Sequence, residues 1–271
     1  KGVRIGDVAG LEGVHGVALA PELGAGFVSD GKANAVAVFD LKTLKTLATI
    51  KLSGRNPDAI VYEPVTRRVF AFEGGSRDAA VIDAAKRTVV ATIPLPGKPE
   101  FAAVDGKGAV YVNIEDKSLL VPIDAAKAAA GPPIALAPCE EPSGLSMDMK
   151  NRRLFAGCHN KLLAVVDPDA GKVVKTLPIG AGVDATAFDA GAGLAFSSNG
   201  DGTLTVIRED GPDAFSVAQD AVTQKGARTM AVDPVTHDVF LVTADLKPVD
   251  AKGGRPKPVD GTFRVLVMSA R

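Results

Sequence analysis

Short apolar runs alternate with polar turn clusters along the whole chain. The pattern is clearest over residues 144–177, GLSMDMKNRRLFAGCHNKLLAVVDPDAGKVVKTL. Four apolar runs stand there, at 144–147, 153–157, 162–166 and 173–177. They are separated by Asp148 and Asn151, by His159 and Asn160, and by Asp167 and Gly171. Runs of about five residues bounded by turn formers predict strands, because helices need longer periodic stretches. Four such strands, repeated about every 42 residues, predict one blade of a β-propeller.

The first strands align as VHGVALAP from Val14, PDAIVYEP from Pro57, PEFAAVDG from Pro99, PSGLSMDM from Pro142, VDATAFDA from Val183 and ARTMAVDP from Ala227. Six units result, at about 14–52, 56–95, 99–136, 142–179, 183–222 and 226–271. The expected fold is all-β: a single propeller domain over 1–271, built of four-stranded antiparallel blades. The sixth unit lacks a fourth strand, and an orphan run, VRIGDV at 3–8, precedes the first. The N-terminal strand is therefore expected to complete the last blade and close the ring, since an open ring leaves bare sheet edges. The alternative is that 3–8 ends a seventh blade whose front is missing from this chain.

Several motifs carry a family resemblance: RLFAG at Arg153–Gly157, VYVN at Val110–Asn113, and the third-to-fourth strand segments Ala164–Thr176 and Phe39–Ile50. Each is weak alone, but six copies in register are strong. The chain resembles the YVTN-type β-propeller repeat family, in its YncE-like bacterial branch, over essentially its whole length. The resemblance implies an exported protein, usually of seven blades, and says little about activity.

Composition narrows the partners. The chain has 271 residues, 46% of them hydrophobic, which is ample for a large core. No apolar run approaches the roughly 18 residues of a membrane span. Basic and acidic residues balance, 31 against 32, so the chain as a whole carries no electrostatic footprint for nucleic acid or anionic lipid. It starts at Lys1 without a signal peptide, as a mature exported protein or a trimmed fragment would. There is no Trp, which argues against WD-type and Trp-docked quinoprotein blades.

Candidate chemistry sits where the first strands begin, at the mouth of the expected tunnel. One position per blade recurs there: His15, Asp58, Glu100, Ser143, Asp184 and Arg228. These are the expected ligand-binding residues. Asp58, Glu100 and Asp184 can supply oxygens to a divalent cation such as Ca²⁺, and with His15 added the set can suit a transition metal. A carboxylate beside His15 can act as an acid/base pair, and Arg228 can orient an anionic group. The competing reading is that these charges pair and hydrate as a polar tunnel lining. Second-to-third strand loops, among them Asp30–Asn34, Glu73–Asp78 and Asn199–Gly202, open on the same face. The NGDG at Asn199–Gly202 lacks the other acidic ligands of a Ca²⁺ loop and reads as a hairpin turn.

Cys139 and Cys158 are brought to one face by antiparallel pairing, so a disulfide is expected, as in an oxidising compartment. Two buried thiols, or a metal site shared with His159, are the alternatives. His237 is expected to be a solvated turn residue. A nucleophile at Ser143 would need a nearby base, and His15 is expected half a ring away; no GxSxG, HExxH or phosphate-loop motif is present. The segment Leu246–Gly261, with Lys247, Lys252, Arg255 and Lys257, reads as a basic insertion serving as a lid, a partner loop or a solvated excursion.

The functional expectation is a periplasmic or extracellular binding or scaffold protein. It would engage a small ligand or a protein partner at the tunnel face, with no membrane span. A metal-assisted, lactonase-like hydrolase or lyase using the same ring is the alternative. Nucleic-acid binding, resting on the basic loop, is third, and the lack of Trp for base stacking counts against it.

Overall fold

The computed structural model describes residues 3–247 and 257–269. The apolar runs form strands, and the strands form six antiparallel sheets, the six blades of a β-propeller. The chain divides into two compact units, Lys1–Ile134 and Ala135–Arg271. Blades 1 and 2 and blade 3 up to Ile134 belong to the first, and blades 4 to 6 to the second.

Each blade is a meander whose strands pair in sequence order. Blade 2 runs Pro57–Glu63, Arg68–Glu73, Asp78–Asp83 and Thr88–Pro94. Blades 1, 4 and 5 repeat this plan, and blade 3 splits its fourth strand into Ala129–Ala130 and Ile134–Ala135. Side chains alternate across each sheet, so a blade with a neighbour on both sides buries both faces. Blade 2 does this within its own second strand. Val69 and Ala71 pack with Phe27, Val36 and Val38 of blade 1. Phe70 and Phe72 pack with Val110, Val112 and Val121 of blade 3. This explains why the second strands read as unbroken apolar runs instead of alternating ones. In the second unit Phe155, Leu163 and Val165 of blade 4 meet Val183, Ala195 and Ile207 of blade 5. Phe196 and Leu204 of blade 5 meet Val239 and Leu241 of blade 6.

The recurrent acid at the end of a first or third strand builds the following turn. Asp40 accepts the N–H groups of Lys42 and Thr43. Asp124 accepts those of Ala126 and Lys127, Asp148 those of Lys150 and Asn151, and Asp233 those of Val235 and Thr236. The fifth residue of these turns is left-handed, at Leu44, Ala128, Arg152 and His237. These side chains mimic a backbone turn. Hydrogen bonds to the charged form hold Asp40, Asp83, Asp124 and Asp233 below the usual carboxylate range.

The N-terminal run departs from expectation. Residues 3–13 form no strand, and the sixth sheet holds three strands among the described residues: Thr229–Val232, Val239–Thr243 and Arg264–Met268. Val8 and Leu11 instead pack on blade 1, against Val28, Ala37 and Phe39. The reason is local. This face of blade 1 is apolar, and burying Val8 and Leu11 there removes surface from water without any sheet pairing. Val3 and Ile5 are left exposed.

Candidate functional site

A β-bulge displaces most of the recurrent first-strand positions. The register of first against second strand shifts between Val14 and Val17, between Pro57 and Ile60, between Pro142 and Leu145, and between Val183 and Ala185. His15, Asp58, Ser143 and Asp184 fall inside these shifts. Blade 3 carries the same shift, between Pro99 and Ala102, and Glu100 falls inside it. A bulge adds a residue without a partner and re-aims its side chain. Arg228 directly precedes the first strand of blade 6.

In the first unit the structure groups His15, Asp58 and Glu100 with residues not singled out from sequence. His15 Nδ1 stands 3.4 Å from Asp58 Oδ1. The imidazole lies against Gly31, where a Cβ would come within 2.8 Å of Cδ2 and Nε2 and 3.0 Å of Asn56 Oδ1. The N–H of Asn56 donates to Asn34 Oδ1 at 2.8 Å, which ties the blade 1 loop to the blade 2 entry. Lys98 Nζ bonds Glu100 Oε1 at 2.6 Å and also bonds Glu115. Burial opposes the Lys98 charge, but the two carboxylates outweigh it and raise the ammonium above its ordinary range. Burial raises Glu100, partly offset by Lys98 and reinforced by the charges of Glu115 and Asp58. Gly74 presents its Cα towards Asn56 and Lys98. The result is a half-exposed imidazole–carboxylate pair and an ammonium held by two carboxylates, floored by glycines.

The second unit holds the other three positions. Arg228 Nη1 stands 3.4 Å from Asp184 Oδ1, and Thr229 Oγ1 donates to Asp184 Oδ2 at 3.3 Å. Ser143 is buried, and its hydroxyl donates to the Asp184 carbonyl at 3.2 Å, joining blades 4 and 5. Ser29 bonds the Asp58 carbonyl and Ser198 the Arg228 carbonyl in the same manner. The signal for this role was a hydroxyl inside a buried strand. Among the described residues, no three or more His, Cys, Asp or Glu side chains group as ligands of one metal ion.

Several other residues find definite places. Cys139 and Cys158 form a disulfide, with Cα atoms 5.7 Å apart and both residues buried. The NGDG segment is a turn. Asp201 accepts from Ala181 N at 2.6 Å and from Thr203 Oγ1 at 2.7 Å, and these bonds hold it low although burial acts the other way. His237 is not simply solvated: its Nδ1 bonds the buried Asp189 at 2.7 Å, a link between blades 5 and 6. Beside it, Asp189, Leu194, Phe196, Leu204 and Met268 line a small apolar cavity of about 190 Å³. The basic insertion is zipped at its base, where Lys247 N donates to Lys257 O at 2.8 Å and Val259 N to Asp245 O at 2.7 Å. Its centre, with Lys252 and Arg255, lies outside the described residues. No helix among the described residues is long and apolar enough to cross a membrane.

No protein-family model matches the chain. One curated relative, antigen Lp49 of Leptospira interrogans serogroup Icterohaemorrhagiae serovar copenhageni (strain Fiocruz L1-130), is 36% identical over 89 residues. The match covers 32% of this chain and 20% of the antigen, so the chain spans about a fifth of that relative. Among solved structures, Kuenenia stuttgartiensis hydrazine synthase superposes with a TM-score of 0.71 at 16% identity, covering 86% of this chain and 77% of the other. The WD40 repeats of RRP9 give 0.74 at 7% identity, covering 83% and 71%. At such identities these two likenesses show the propeller fold alone.

Proposed function

We propose that this chain is an exported binding or scaffold propeller of the YVTN type, in the YncE-like branch, working in the periplasm or outside the cell. It engages a small ligand or a protein partner at the face where the first strands begin. The observation that carries this reading is the first-unit cluster. His15, Asp58, Lys98, Glu100 and Glu115 converge at bulged or loop positions over Gly31 and Gly74, half open to solvent. Such a set offers hydrogen-bond donors and acceptors and charges of both signs to a ligand. The Cys139–Cys158 bond supports an oxidising compartment. The partial match to the leptospiral antigen fits a propeller relative.

The test is a thermal-shift panel of amino acids, small amines, carboxylates and short peptides. A ligand at about 100-fold over its Kd raises stability by about 2.7 kcal/mol, or roughly 5–10 °C for a chain of this size. The shift is expected to vanish in Asp58→Asn and Glu100→Gln. A shift that survives both variants would place binding elsewhere and overturn this reading.

One observation favours a second reading. His15 beside Asp58 has the make-up of an acid/base pair, as a lactonase-like hydrolase or lyase requires. Turnover of lactone or ester substrates that is lost in His15→Gln would establish it.

A further inference from the structure

The last residue of each second strand faces the first residue of the third. The pairs are Asp30 with Ala35, Glu73 with Asp78, Ile114 with Leu119, Cys158 with Leu162, Asn199 with Thr203 and Thr243 with Arg264. Blade 2 alone places two carboxylates in this slot.

Blade 5 shows how the slot is satisfied by neutral groups. Asn199 Nδ2 donates to Thr203 Oγ1 at 3.0 Å and to Thr205 Oγ1 at 3.1 Å. The pair lies against Gly180, where a Cβ would come within 2.2 Å of Thr203 Oγ1 and 2.6 Å of Asn199 Nδ2. Blade 2 repeats the architecture with different chemistry. Gly54 lies against Glu73, and a Cβ there would come within 2.4–2.5 Å of the carboxyl carbon and both oxygens. Glu73 is fully buried, and neither of its carboxyl oxygens has a well-formed hydrogen bond: what the group faces is the Asp78 carboxyl and the Gly54 backbone, not a cation. Asp78 Oδ1 is buried and unpartnered as well. The cationic side chains of the adjoining loops are engaged elsewhere. Arg77 pairs with Asp116, Lys98 with Glu100 and Glu115, and Arg55 Nη2 donates to Gly75 O.

Buried polar groups are almost always satisfied, and an exception calls for a bound species. A buried carboxylate pair without a protein cation is a far more costly exception. We propose that Glu73 and Asp78 bind a hard divalent cation of the calcium class. The three orphaned oxygens are its protein ligands, and water completes the shell. Carboxylate oxygens are the ligands such ions prefer, and two carboxylates balance the charge of one divalent ion. The site uses two acids and so differs from a tunnel-mouth site at Asp58, Glu100 and Asp184. It stands independently of the binding function proposed above.

The test uses the full chain, stripped with chelator and then given Ca²⁺, Mg²⁺ or Mn²⁺ alone. Melting is followed for wild type, Asp58→Asn and the double variant Glu73→Asn/Asp78→Thr. The double variant installs the Asn–Thr pair of blade 5 in the blade 2 slot, without the second bond because Ala80 stands where blade 5 has Thr205, and its fold is checked by circular dichroism. The expected result is a rise of roughly 5–10 °C with Ca²⁺ near 100-fold over Kd in wild type and Asp58→Asn. In the double variant the rise disappears. Two results would overturn the proposal. One is that no cation raises the wild-type melting point, which leaves a shared proton as the only occupant. The other is a rise that the double variant keeps and Asp58→Asn loses, which moves the ion to Asp58.

Discussion

The hydroxyl of Ser29 donates to the backbone carbonyl of Asp58 at 2.5 Å, and it accepts the N–H of Gly16 at 2.9 Å. One buried side chain of blade 1 thereby fixes the bulge that carries His15 and the bulge that carries Asp58. The two halves of the site share this anchor. Ser198 reaches the Arg228 carbonyl from the same strand position in blade 5.

Ser29→Ala removes the donor and leaves buried backbone groups unsatisfied. The expected loss is about 1–3 kcal/mol, read as a lower urea midpoint. The variant is also expected to weaken any ligand whose binding depends on Asp58, although Ser29 itself is fully buried. Unchanged stability together with unchanged affinity would show that the bulges hold without this anchor.

The Cys139–Cys158 bond closes a loop with a sequence separation of 19. A loop of that size restricts the unfolded chain by about 3 kcal/mol. Reduction, or Cys139→Ser/Cys158→Ser, is therefore expected to lower the melting temperature by roughly 6–12 °C. Calorimetry with and without reductant measures this directly. A drop of under a degree would mean that blade 4 is held by packing alone.

The fold was legible because its signals repeat. Turn acids such as Asp40, Asp83, Asp124 and Asp167 recur with apolar strands between them, and six repetitions outweigh the noise of any one. The N-terminal run was misplaced because VRIGDV alternates like a strand, and alternation says nothing about what covers it. Val8 and Leu11 found an apolar face of blade 1 first. The bulges left no trace, since one extra residue does not disturb a 42-residue period read only approximately. Ser29 and Ser198 were visible as hydroxyls within apolar strands, but their partners belong to the next blade. Glu73 and Asp78 read as a polar loop because their facing depends on register, which the sequence pattern does not specify to one residue.

Stability should run in opposite directions with pH at the two kinds of acid. Burial, and then the Asp78 carboxylate, pushes Glu73 from an ordinary 4.5 up to about 8. Burial and then Asp148 push Glu209 to about 7. A raised folded pKa favours the neutral form. The stability from these groups is therefore complete below 4.5 and is lost as pH rises towards 7 and 8. The turn acids Asp40, Asp83, Asp124 and Asp233 are lowered, so their contribution is present above 3.8 and is lost as pH falls below it. Chelator-treated protein should then be most stable in mildly acid buffer, with a urea midpoint that declines from pH 5 to pH 9. Glu73→Gln should flatten that decline, and an unaltered slope in the variant would remove Glu73 from the account.

Gly144 separates two reasons for a glycine. It follows Ser143 in the first strand of blade 4, and a Cβ there would lie 2.5 Å from Thr186 N and 2.7 Å from the Ala185 carbonyl carbon. Both are backbone atoms of the blade 5 first strand, so neither can rotate away. Gly171 has open space around it but takes φ +64° in a turn. Gly171→Ala is expected to cost about 1 kcal/mol, the usual penalty for a left-handed Cβ. Gly144→Ala should cost more, roughly 2–4 kcal/mol, because the two first strands must move apart. That movement also pulls the Ser143 hydroxyl away from the Asp184 carbonyl. Urea unfolding of the two variants side by side measures the difference. Equal destabilisation would mean that the blades approach less closely here than their backbone spacing requires.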